Sequence, residues 1–71
     1  MIKKEIPIKT EFIKLDQFLK FVGIAETGGH SKEIIAEGVV FVNGGQCFQR
    51  GKKLRPEDVV VIDDYELKIV G

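Results

Sequence analysis

The sequence predicts an α+β fold: a two-helix hairpin packed on a small, mostly antiparallel β-sheet. Three observations carry that expectation. Residues 15–38 repeat their apolar positions at helical spacing, interrupted near Gly23. Residues 39–70 are instead β-branched and aromatic, with turn dipeptides between the runs. A chain of 71 residues, 44% hydrophobic and 31% charged, matches one domain (residues 1–71) with a single modest core.

Each element follows in order. Residues 3–9 alternate loosely around Pro7, which removes a ladder donor, so they read as an edge strand or an extended arm. Leu15, Phe18, Leu19 and Val22 fall at i, i+3, i+4 and i+7 and define the first helix, with Asp16, Gln17 and Lys20 facing away. Asp16 suits the first turn and Gly23 the left-handed C-terminal position. Residues 24–29 turn the chain. A second helix is expected from about Gly29 to Glu37, with Ser31, Ile34 and Ile35 inward and Gly38 as its stop.

Val39–Val42 is a strand and Asn43-Gly44 a hairpin turn, with Gly45 loosening the register and Gln46-Cys47-Phe48 returning. Residues 50–55 form a basic loop that ends in a turn at Pro56-Glu57-Asp58. Val59–Ile62 and Tyr65–Val70 are strands around Asp63-Asp64, and Tyr65, Leu67 and Ile69 share one face. Phe18 and Phe41 are assigned to the core; Phe12, Phe21 and Phe48 remain as candidate stacking platforms.

Composition excludes several function classes. No apolar run approaches the roughly 20 residues of a membrane helix, and the N-terminal stretch lacks the apolar centre of a signal peptide. A cytoplasmic location is therefore expected. The single Cys47 fits a reducing compartment, and with one histidine, His30, the chain cannot build a Cys/His zinc site by itself. His30 and Ser31 are neighbours that do not face each other on a helix, and no third group completes a catalytic set. Asp63-Asp64 is explained by its turn. We expect no enzyme activity, no metal and no cofactor.

Net charge is zero, but its distribution is uneven. Residues 50–55 carry four positive charges and no negative one, whereas residues 57–66 carry five acids and no base. Gly28 and Gly29 at the mouth of the second helix leave amides open to an anion, with Lys32 in the first turn or so beyond them. Loop cations such as Arg50, Lys52 and Lys53 contact phosphates with little geometric demand.

The order of these pieces resembles a known family. Lys14-Leu15-Asp16-x-x-Leu19, then Gly23, then Lys32-x-x-Ile35-x-x-Gly38-Val39-Val40-x-Val42-Asn43-Gly44 resembles the S-four RNA-binding domain, also called the αL motif. Lys14 stands where the family usually has arginine, and Gly28 where it often has another. Thr27-Gly28-Gly29-x-x-Lys32, followed by Asn43-Gly44 and Arg50-Gly51-Lys52-Lys53-Leu54, looks like the small stand-alone bacterial members. The match spans about residues 11–62. It implies binding to structured RNA, often ribosomal, by the helix hairpin, with a role in ribosome assembly or translation. The expected RNA-binding residues are Lys14, Lys20, Gly28, Gly29, Lys32, Arg50, Lys52 and Lys53. The expected partner is ribosomal RNA or a ribosomal particle, met by a monomer.

A second resemblance competes. Val42-Asn43-Gly44, Leu54-x-x-x-Asp58-x-Val60 and the final Gly71 are similar to the second half of ubiquitin-like sulfur carriers. Such a carrier, or another protein-docking module, needs a flexible tail. Residues 65–70 look instead like a buried strand.

Overall fold

The apolar stripes close on one another between a helical hairpin and one face of a sheet. The computed structural model describes residues 1–71. The chain runs β1 (Ile2–Pro7), β2 (Ile13–Lys14), α1 (Leu15–Phe21), α2 (Gly28–Ala36), β3 (Val40–Val42), β4 (Gly45–Gln46), β5 (Lys53–Leu54), β6 (Val59–Ile62) and β7 (Tyr65–Val70). Five strands form the main sheet in the order β1-β7-β6-β3-β4, antiparallel except for the parallel pair β1 and β7. The expected α+β architecture is therefore present. Strand β1 lies at the sheet's edge, with Pro7 as its last residue, where a missing donor costs least.

Helix α1 buries Leu15, Phe18 and Leu19 completely, and Gly23 follows it with a φ of 84°. Helix α2 begins at Gly28, one residue before the expected start. Thr27 caps it by accepting a hydrogen bond from the His30 amide at 3.0 Å. Gly38 takes a φ of 75° beyond its end. Ile35 reaches the core, and the buried Ser31 hydroxyl donates to the Asp16 carbonyl at 2.9 Å, tying the two helices together. From the sheet come Val40, Val42, Val60, Ile62, Leu67 and Ile69, with Tyr65 packed at the margin.

Four expectations about the sheet need correction. Phe41 is not a core residue: it lies between buried Val40 and Val42, so strand alternation turns it outward and leaves it 38% exposed. Gly45 does not loosen the hairpin. Asn43 and Gly44 have φ values of 51° and 85°, the two left-handed residues of a two-residue turn, and Val42 pairs directly with Gly45. The return strand stops at Gln46. Cys47 still donates its amide to the Val40 carbonyl, but Phe48 leaves the ladder and is exposed. Finally, residues 50–55 are not only loop, because Lys53 and Leu54 form β5 and pair antiparallel with β2.

The acidic run also divides. Asp58 and Asp63 stand at opposite ends of the four-residue β6, so residues 57–66 form no single patch. Asp58 is a structural acid: its carboxylate accepts from the Asn43 side chain at 3.1 Å and the Arg55 amide at 2.8 Å. Asn43 in turn accepts from the Val59 amide at 2.9 Å. This clasp joins the β3–β4 turn to the end of the basic segment. Glu57 has a φ of 84°, as the third residue of the turn Arg55-Pro56-Glu57-Asp58 requires, and its side chain pairs with Lys68 at 3.1 Å.

Leu19 tests the core directly. Leu19→Ala should cost about 2–5 kcal/mol, because its fully buried side chain leaves a cavity within the core cluster. Chemical denaturation should show a markedly lower midpoint, and an unchanged midpoint would contradict this packing.

Candidate functional site

Helix α1 has only seven residues and no side-chain N-cap. Its first amides need partners, and the basic segment supplies them: Leu15 donates to the Lys52 carbonyl at 2.9 Å and Asp16 to the Arg50 carbonyl at 3.1 Å. The Asp16 carboxylate accepts from the Gln17 amide at 2.8 Å. Because the Asp16 carbonyl also takes the Ser31 hydroxyl, three elements meet at this one residue. They are the start of α1, the first turns of α2 and the segment 50–53.

Most of the expected site residues gather around that junction. Lys14 lies directly opposite Lys53 in the β2–β5 pair, and Arg50 and Lys52 hold the α1 amides through their carbonyls. Lys32 follows Ser31 immediately in α2 and is exposed. Gly28 and Gly29 are the first two residues of α2, both exposed, and their amides have no hydrogen-bond partner within the chain. Lys20 stands apart, in the last turn of α1, where it borders a shallow groove with Ile13, Gln17 and Phe21. A cation there also complements the helix dipole.

The glycines are not explained by backbone geometry. Neither Gly28 nor Gly29 has a positive φ, a Cβ on Gly28 would meet open space, and one on Gly29 would touch only the Thr27 hydroxyl at 3.8 Å. A turn would tolerate other residues here. What glycine uniquely provides at these positions is unobstructed access to two free amides at a helix N-terminus.

The electrostatics are asymmetric. The two ion pairs of the molecule, Lys3–Glu66 at 3.8 Å and Lys68–Glu57 at 3.1 Å, use cations of β1 and β7. Lys14, Lys20, Lys32, Arg50, Lys52 and Lys53 have no carboxylate partner. Directly opposed like charges such as Lys14 and Lys53 destabilise a strand pair.

Arg55 is not among the expected site residues, and Phe12 is named only as one of three candidate stacking platforms. Phe12 lies beneath Lys53 and Arg55, whose charged groups are 4.8 and 5.7 Å from its ring centroid. The period-two alternation of Phe12-Ile13-Lys14 and Lys53-Leu54-Arg55 could have signalled this, had the short β2–β5 pairing been visible. His30 has a local role, accepting from the Glu26 amide through Nδ1 at 3.2 Å.

A helix hairpin braced by a small sheet, with unpaired cations where the helix starts meet a basic segment, defines a class of compact α+β binding domain. A family model described as the S4 domain matches residues 6–70, and the chain belongs to that S-four family. Among its relatives, the probable ribosome maturation protein RlbA of Bacillus subtilis (strain 168) is 42% identical over 60 residues, covering 84% of each chain. The sulfur-carrier alternative loses its footing. The family assignment opposes it, and residues 65–70 are held in the sheet, paired with β1 throughout and with β6 at residues 65–68. No helix is long and apolar enough to cross a membrane.

The glycine geometry yields a test of its own. Gly28→Ala and Gly29→Ala should each stabilise the fold by roughly 0.4–1 kcal/mol, raising Tm by roughly 2–8 °C. A lowered Tm would mean that the backbone there requires glycine after all.

Proposed function

We propose that this protein binds structured RNA, ribosomal RNA in particular, and acts in ribosome maturation as a binding protein without catalytic activity. The observation that carries the reading is the separation of charge. Lys3 of β1 and Lys68 of β7 pair with carboxylates, whereas the cations around the Asp16 junction form no ion pair, and two of them, Lys14 and Lys53, stand directly opposed at some cost to stability. Membership of the S4 family and a relative named as a ribosome maturation protein support the same reading.

The mechanism is positioning by phosphate contact. Lys14, Lys32, Arg50, Lys52 and Lys53 neutralise backbone phosphates, and each contact releases condensed counterions. The Gly28 and Gly29 amides add two uncharged donors, strengthened by the α2 dipole, for one phosphate oxygen. Lys20 extends the contact along α1. Such contacts fix register and leave choice of site to RNA shape. The chain works as a single domain and a monomer in this reading.

Changing Lys32, Arg50, Lys52 and Lys53 together to glutamine should flatten the log–log salt dependence of RNA binding by about 3. Affinity for different RNAs should fall alike, while stability changes by less than about 0.5 kcal/mol. The control set is Lys3, Lys4 and Lys68. If neutralising it flattens the slope equally, the chain is a diffuse polycation; if neither set matters, RNA binding is wrong. Gly28→Val/Gly29→Val should weaken binding in a protein that remains folded. Cross-linking in cells with sequencing of the attached RNA should recover ribosomal RNA, and recovery of another RNA class alone would overturn that part.

A further inference from the structure

The β2–β5 ribbon has two unlike faces. Leu54 is completely buried and Ile13 half-buried, so by alternation Phe12, Lys14, Lys53 and Arg55 share the opposite face. That face carries three cations and one aromatic ring, with no acid among them. Left to mutual repulsion, such side chains would splay into solvent. Here the Lys53 ammonium lies 4.8 Å and the Arg55 guanidinium 5.7 Å from the Phe12 ring centroid. The electron-rich face of a ring attracts both.

Arg55 is restrained a second time, since its amide donates to the Asp58 carboxylate at 2.8 Å. Asp58 in turn is held by Asn43 at 3.1 Å. The carboxylate thus anchors the Arg55 backbone, while no carboxylate neutralises its side chain.

The geometry points to a phosphate-binding subsite on this ribbon face, in which Arg55 joins Lys14 and Lys53 as a ligand and Phe12 acts as the positioning residue that gathers two of the three cations. The ligand class is the phosphodiester backbone of RNA, so the subsite deepens the RNA-binding reading and rests on it. Arg55 suits the task because its planar fork can present two donors to one phosphate. The ring and the Asp58 anchor reduce the freedom that two long side chains would lose on binding.

The test uses the full chain and a short RNA hairpin of ribosomal sequence. In the free protein, ring currents should shift the Arg55 δ-methylene and Lys53 ε-methylene proton signals upfield. Phe12→Leu should abolish the shift and Phe12→Tyr keep it. Phe12→Leu should bind the hairpin about three- to tenfold more weakly with an unchanged salt slope, and Phe12→Tyr should recover the loss. Arg55→Gln should lower the slope itself by about 0.7–0.9 with the melting temperature unmoved.

Hairpin binding that is indifferent to both Phe12→Leu and Arg55→Gln overturns the subsite while leaving RNA binding intact. A wild-type chain that fails to bind any RNA overturns the broader reading instead. Titration with inorganic polyphosphate then decides the subsite alone: movement of the Arg55 Hε resonance supports it, and a stationary resonance removes it.

Discussion

Two backbone hydrogen bonds hold the functional end of this protein together: Leu15 to the Lys52 carbonyl and Asp16 to the Arg50 carbonyl. A seven-residue helix is too short to persist alone, and α1 has no side-chain cap to offset its orphan amides. The basic segment completes the helix, and the helix gives the segment a fixed shape. Ser31 then docks α2 on the same Asp16. Charges that would otherwise decorate a mobile loop are mounted on a rigid corner.

That coupling explains how a chain of zero net charge can support a polyanion-binding reading. Its acids are not spread evenly among its bases. Glu57 and Glu66 pair with Lys68 and Lys3, and Asp58 spends its carboxylate on Asn43 and the Arg55 amide. Each of these acids is committed to the sheet and its turns. The cations of the junction form no ion pair, so no short-range pairing cancels their charge.

Much of the fold was legible from residue type and spacing. The stripe Leu15, Phe18, Leu19 is the buried face of α1, Gly23 and Gly38 end the helices with positive φ, and Asn43-Gly44 makes the tight hairpin. These are local properties: a period, a left-handed glycine, a turn dipeptide. The helix-mouth glycines, Lys32 and the basic run were visible as candidates for the same reason, since charge and backbone freedom are read residue by residue.

Tertiary structure alone decided the rest. Pairing of β2 with β5 joins residues far apart in the chain through only two residue pairs, too few to leave a periodic signature. Phe12 and Arg55 meet only because of it. The outward turn of Phe41 depended on which face of β3 met the helices, and the division of the acidic run on the length of β6. The sequence determined by itself the two helices, the buried stripe of α1, the Asn43-Gly44 hairpin and the family resemblance, because each is written in local pattern. Which cations stand together and which are neutralised came from strand register and long-range hydrogen bonds, which link residues that local pattern cannot relate.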